Sequence, residues 1–169
     1  MIFVTIGTGA FPRLITKMDE IAGKTNENVV MQIGCTKYIP QNAEYFEFLN
    51  FEDMVDFIRK SRVVVCHDGA GSIMTVLQLG KPVIAVPRLK RYGELFYENS
   101  GEFIKELIDQ GLTIKAIYDI GDIEAALRNT DSTACYLDTE NQKKLVSALK
   151  EYINQLQKQK VGSYQGASK

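Results

Sequence analysis

Histidine occurs once in this 169-residue chain and cysteine three times, at Cys35, Cys66 and Cys135. With no CxxC pair and His67 alone, the ligand set of a structural zinc site is missing, and no metal is expected. Three widely spaced cysteines do not make a disulfide framework either. Reduced, partly buried thiols in a cytoplasm are the expectation. A charge excess is also lacking: 20 Lys and Arg stand against 21 Asp and Glu, a formal net charge of −1. Nucleic-acid binding, which usually shows a basic excess, is therefore not expected. No apolar run is long enough to cross a bilayer, and the start lacks the basic-then-apolar pattern of a signal peptide. Membrane association is expected only as peripheral contact or through a partner. No internal repeat stands out.

What is present is a 45% hydrophobic composition in a length that suits one ordinary domain with a real core. The sequence predicts that domain over residues 1–160. A flexible polar tail, VGSYQGASK, is expected over 161–169. The stretch that organises the rest is VVVCHDGAGSIMTVLQLGKPVIAVP, residues 63–87. Its apolar ends, 63–66 and 83–86, are rich in β-branched residues, as strands covered on both faces are. Between them Ile73, Val76 and Leu77 share one helical face, and Gly80-Lys81-Pro82 stops that helix. The link from first strand to helix, His67-Asp68-Gly69-Ala70-Gly71-Ser72, is small enough to turn sharply and to let a ligand approach the backbone. A loop feeding a helix N-terminus offers N–H groups and partial positive charge, which suits a phosphate or diphosphate. The same residues also suit a plain tight turn with no ligand. The loop is not a P-loop and does not have the G-x-G-x-x-G spacing.

The flanking chain alternates in the same way. Strands are expected at 2–6, 28–33 and 45–51. A helix opened by Pro12 carries Leu14, Ile15, Met18, Ile21 and Ala22 inward and ends at Gly23. Asn50 is placed to cap a helix that buries Met54, Val55 and Ile58. Further helices are expected with Phe103, Ile104, Leu107, Ile108 and Leu112 inward, over 121–129, and over 139–159. The last of these carries a stripe of Leu145, Leu149, Tyr152, Ile153 and Leu156. This alternation predicts an α/β fold, a Rossmann-like doubly wound parallel sheet. Ligands of such sheets bind beyond the carboxyl ends of the strands, where Gly7-Thr8-Gly9 and Gly69–Gly71 both belong. Arg88, Lys90 and Arg91 follow a strand end, either as phosphate partners or as a solvated basic loop. Tyr92, Phe96 and Tyr97 suit packing on a base or sugar as well as core or interface packing. The unperturbed pKa of an imidazole would allow His67 acid–base work near neutrality.

HDGAGSIMTVLQLGKPVIAVPR, followed by RYGE at 91–94 and preceded by IFVTIGTGAFPRLI at 2–15, resembles glycosyltransferase family 28. Within it, the similarity is to the small donor-binding subunits of split glycosyltransferases, those of bacterial exopolysaccharide synthesis and of dolichol-linked oligosaccharide synthesis. The resemblance covers most of residues 1–112. It implies the C-terminal, nucleotide-sugar half of a GT-B fold. It also implies inverting transfer of a hexosyl group from a UDP-sugar, UDP-GlcNAc or a related donor, to a lipid-linked acceptor, with the UDP-sugar as substrate and no cofactor. A membrane-associated subunit would supply the acceptor half, and the C-terminal helix is a candidate to hold it. A homo-oligomer is also possible.

The resemblance assigns the diphosphate to Gly7, Thr8, Gly9, Gly69, Ala70, Gly71 and Ser72. Sugar or ribose contacts fall to Thr75, Arg88, Glu98 and Asn99. For His67 it implies a positioning role beside the catalytic one that its chemistry allows. Two positions depart from the family pattern. Thr75 stands where relatives carry a ribose-binding glutamate, and Glu98-Asn99-Ser100 stands where they carry Asp-His-Gln. A threonine hydroxyl does not reproduce a carboxylate bridging two vicinal hydroxyls. A second expectation follows, a non-catalytic scaffold or regulatory member with a degraded donor site.

Overall fold

A computed structural model describes residues 1–94, 101–109, 112, 114–130, 143, 146, 147 and 149–154. Six parallel strands form one sheet: β1 (Ile2–Thr5), β2 (Val29–Gln32), β3 (Glu44–Phe46), β4 (Val63–His67), β5 (Val83–Val86) and β6 (Ile114–Ala116). Their order is β3-β2-β1-β4-β5-β6. Helices α1 (Pro12–Ala22), α2 (Phe51–Lys60), α3 (Ala70–Gln78), α4 (Glu102–Asp109) and α5 (Ile123–Arg128) cover the sheet. β1 is aligned with β2 at Ile2↔Val29 and with β4 at Ile2↔Val63. The strand order reverses between β1 and β4, so the crevice for a ligand opens past their carboxyl ends.

Successive side chains of a strand point to opposite faces, so a doubly covered strand is apolar throughout. Ile2, Val4, Val63, Val65, Ile84 and Val86 pack on the α1 and α5 side. Phe3, Val64, Cys66, Val83 and Ala85 pack with α2, α3 and α4 on the other. On that second face the Phe3 and Phe57 rings stack with centroids 5.4 Å apart.

The predicted element ends hold where a local signal sets them. Pro12 opens α1. The Asn50 side chain accepts from the Asp53 N–H and caps α2. Gly80, at φ +66, closes α3 with Gly80 N–H to Leu77 O and Lys81 N–H to Val76 O, the paired bonds of a Schellman turn.

Four expectations are corrected. The apolar run at 45–51 is not one strand: β3 ends at Phe46, and Phe48 and Phe51 are exposed. β6 is a strand that the sequence reading passed over. Ile108 lies on the rim of α4, 39% exposed, while Phe103, Ile104 and Leu107 are buried. In the final helix, Leu149 and Tyr152 pack on the core and the Tyr152 ring meets Phe103 at 5.3 Å, but Ile153 is exposed. Leu145, Leu156 and the 161–169 tail lie outside the described residues. Among those described, no helix is long and apolar enough to cross a membrane.

Candidate functional site

Three glycine turns meet at the crevice. Gly7 follows β1 with φ +67, and Gly34 follows β2 with φ +53, a region that disfavours any side chain. A β-carbon on Gly34 would overlap the Gly9 carbonyl oxygen and stand 2.6 Å from that of Gly7. The third turn, Asp68-Gly69, leads into α3. Its first turn has no side-chain cap, and the Ile73 N–H bonds to the Gly69 carbonyl. The N–H groups of Ala70, Gly71 and Ser72 precede that bond and have no carbonyl within the helix to meet. Among the described residues, a β-carbon on Gly71 meets nothing within 4 Å. That is open space in front of a helix N-terminus.

His67 ends β4, and its imidazole fills the gap between two of the turns. A β-carbon on Gly69 would overlap Nε2, and one on Gly7 would lie 3.0 Å from Cε1. Nδ1 is buried and has no hydrogen-bond partner among the described residues. Burial lowers the pKa to about 4, the Arg88 charge adds to the fall, and a backbone contact with Thr5 opposes it. The ring is therefore neutral near pH 7. A neighbouring Asp68 carboxyl is raised by burial, against backbone hydrogen bonds and the Arg88 charge. Burial, and then the Asp68 charge, push the Cys66 thiol up to about 12, so it is not a nucleophile.

The imidazole gives a test of this packing. Its folded pKa lies below the unfolded value of about 6.5, so the unfolded chain takes up the proton first. The contribution of His67 to stability is full above about pH 6.5 and is lost as the pH falls toward 4. The loss is on the order of 3 kcal/mol at most. Urea midpoints at pH 7 and pH 4.5 are expected to fall further for the native chain than for His67→Gln. Equal falls would mean that the ring protonates in place.

Arg88 is not a solvated residue of a basic loop. Its Nη2 donates to the Ile6 carbonyl at 3.0 Å, and its Cζ lies 5.1 Å from the Phe11 ring centroid. A β-carbon on Gly9 would lie 3.2 Å from that Nη2. Lys90 and Arg91 are exposed. Gly7, Thr8, Gly9, His67, Gly69, Ala70, Gly71, Ser72 and Arg88 thus gather at one crevice. Thr75 sits a turn further along α3, where its hydroxyl donates to the Gly71 carbonyl at 2.8 Å. Glu98 and Asn99, with Phe96 and Tyr97, lie outside the described residues.

Sequence reasoning missed the buried polar residues behind these turns. Gln32, 5% exposed, binds the first turn from below. Its Oε1 accepts from Thr5 Oγ1, Ile6 N and Gly7 N, and its Nε2 donates to the carbonyls of Gly7 and Glu47 at 2.8 and 2.9 Å. The signal was a lone amide inside the apolar run VVMQI. Asp19 plays the same part for the loop after β2, accepting from Tyr38 Oη and the N–H groups of Gln41 and Asn42. Burial raises the Asp19 pKa, but these bonds together hold it below the usual value.

A parallel sheet in this order, with its crevice framed by glycine turns, is the architecture of GT-B C-terminal halves. Solved glycosyltransferases share it. The glycotransferase of kitacinnamycin aligns over 89% of this chain and 39% of its own at a TM-score of 0.56 and 17% identity. The solution structure of ALG13 aligns over 80% of this chain and 90% of its own, at 0.53 and 17% identity. The Glycosyltransferase family 28 C-terminal domain matches residues 1–160, and the chain belongs to that family. Among curated relatives, the UDP-N-acetylglucosamine transferase subunit ALG13 of Debaryomyces hansenii is 33% identical over 89 residues, 53% of this chain and 41% of that protein. The Homo sapiens subunit of the same name is 29% identical over 121 residues, 65% of this chain and 10% of that protein. The matched stretch therefore spans about two fifths of the first relative and a tenth of the second.

Proposed function

We propose that this protein is the nucleotide-sugar-binding subunit of a two-component inverting glycosyltransferase. It would take a hexosyl group from a UDP-sugar, UDP-GlcNAc or a related donor, to a lipid-linked acceptor in polysaccharide or glycolipid synthesis. The observation that carries the reading is the open space at Gly71 in the first turn of α3, whose N–H groups have no carbonyl within the helix to meet, while the His67 ring just before it packs against both Gly69 and Gly7. Names of relatives support the donor, since both are UDP-N-acetylglucosamine transferase subunits.

Departure of UDP leaves negative charge on the diphosphate. In this reading the N–H groups of Ala70, Gly71 and Ser72, the Ser72 hydroxyl and the α3 dipole face that charge, with Thr8 and Gly9 opposite. Such fixed donors need no reorganisation as charge develops. Arg88 adds a cation at the same mouth. The neutral, wedged imidazole of His67 acts as a spacer that positions the two turns. The base for the acceptor hydroxyl comes from the membrane-associated acceptor-binding subunit. Through that subunit the chain sits at the cytoplasmic face of a membrane.

Thr75 favours a second reading, a scaffold or regulatory member whose donor site no longer supports transfer. Binding of UDP without transfer, with the partner subunit present, would select it. Calorimetry with UDP, UDP-GlcNAc, UDP-Glc, UDP-GlcA and UDP-Gal tests the first reading. Submillimolar binding of UDP with preference for one sugar is expected, and no binding of any of the five would sink it.

Thr75→Glu sharpens the comparison. Residue 75 is only partly buried, so a carboxylate there stays hydrated and can accept from two ribose hydroxyls. UDP affinity is expected to rise several-fold, roughly 1 kcal/mol. A fall would show a pocket rebuilt around threonine.

A further inference from the structure

Two sequence features that the donor reading leaves unused, Arg13 of GAFPRLI and Glu94 of RYGE, meet across 81 residues of chain. Arg13 Nε donates to Glu94 Oε1 at 2.8 Å and Nη2 to Oε2 at 3.0 Å, and the side chains are only 13% and 5% exposed. Removing such a pair from water costs about as much as its attraction returns, so net stability is a weak account of it. Its remaining bonds show what it holds. Arg13 Nη2 also donates to the Pro87 carbonyl at 2.9 Å, and Glu94 Oε2 accepts from the Leu89 N–H at 2.8 Å. The backbone is therefore gripped on both sides of Arg88. Both guanidinium groups also lie over the buried Phe11 ring, Arg13 at 5.2 Å and Arg88 at 5.1 Å.

We propose that Arg13 and Glu94 are a positioning pair whose task is to hold Arg88 across the first glycine turn. Arg13 stands on α1, next to the turn after β1, and Glu94 stands in the segment after β5. The pair ties these two walls of the crevice together and sets the cation between them. Neither residue needs to touch a ligand for this. The part of the proposal that concerns donor affinity rests on the UDP-sugar reading, while the placement of Arg88 does not.

His67 makes the placement measurable. It is the only histidine, so in an untagged chain its imidazole gives one unambiguous signal by nuclear magnetic resonance. Arg88 is the charged group that acts on it, Asp68 follows it in the chain, and the Glu94 charge is felt at Asp68. The double variant Arg13→Met/Glu94→Leu removes one charge of each sign and replaces the ion pair by apolar groups of similar size, a change that folded proteins often tolerate. The chain is expected to stay folded, the imidazole pKa to rise from about 4 toward its ordinary value, and UDP affinity to fall at least about tenfold. Arg88→Met marks the rise expected when the cation is lost altogether. If the double variant does not fold, Glu94→Gln serves. Losing a negative charge by itself lowers an imidazole pKa, so a rise there reports either displacement of Arg88 or rehydration of the ring, and only the first disappears when Glu94→Gln is made in the Arg88→Met chain. An unchanged or lower pKa in the folded variant overturns the proposal. A native chain that does not bind UDP, but whose variants shift the imidazole as expected, keeps the positioning pair and removes the donor reading.

Discussion

Gly71→Val is expected to weaken UDP binding by at least about 100-fold, roughly 3 kcal/mol, while leaving the thermal midpoint within about 2 °C of the native value. The two halves of this expectation come from one fact. A β-carbon at Gly71 meets no atom of the described residues within 4 Å, so the described fold has room for a side chain there. Valine also costs a helix slightly less than glycine does. A ligand approaching the α3 N–H groups would collide with the isopropyl group. Gly69 would be a poorer probe, because a side chain there overlaps the His67 ring and disturbs the turn itself. Calorimetry together with a melting curve checks both halves. Native-like affinity in a folded Gly71→Val chain would take the α3 terminus out of the site.

Gln32→Leu is expected to cost about 3–5 kcal/mol of stability, read as a large fall in the urea midpoint. Leucine fills similar space but answers none of the five bonds. The carbonyls of Gly7 and Glu47, the N–H groups of Ile6 and Gly7, and the Thr5 hydroxyl lose their partner together. Each buried polar group left alone costs about 1–3 kcal/mol, and partial relaxation keeps the sum below the full total. A native stability above about 5 kcal/mol, ordinary for a domain, leaves the variant folded in water. Its UDP affinity should then fall as well, since Gly7–Gly9 is no longer held. A loss under about 1 kcal/mol would show that water replaces the amide.

The sheet was legible because its central strands carry apolar residues on both faces, as Val63–Cys66 and Val83–Val86 do. α1 and α2 announced themselves through Pro12 and Asn50, whose capping chemistry is local. β6 did not, because three residues at a sheet edge with Lys115 among them carry no periodic signal. The 45–51 run misled for a related reason. Aromatic residues there suggested a buried strand, yet Phe48 and Phe51 belong to a connection and a helix start. In the site, small residues marked the glycine turns, whose requirement is steric and confined to a few positions. Gln32 and the Arg13–Glu94 pair were invisible in that sense. Their partners lie 25 and 81 residues away, and only the folded crossover brings them together. Arg88 shows the same limit, since nothing in PRLKRYGE says that one of its three cations turns inward.

The pairing of β1 with β4 also decides when this molecule can form. Ile2 must wait for Val63, so the innermost strand is made first and completed late. While the chain leaves the ribosome, β1 has only β2 beside it, and its other edge offers Ile2, Phe3 and Val4 to any extended segment nearby. Contacts of this sequence separation fold slowly, and unpaired apolar edges invite aggregation. The interval before residue 67 emerges is thus expected to be the stage most open to aggregation. A chaperone that shelters the first sixty residues would act on yield and leave the finished protein unchanged.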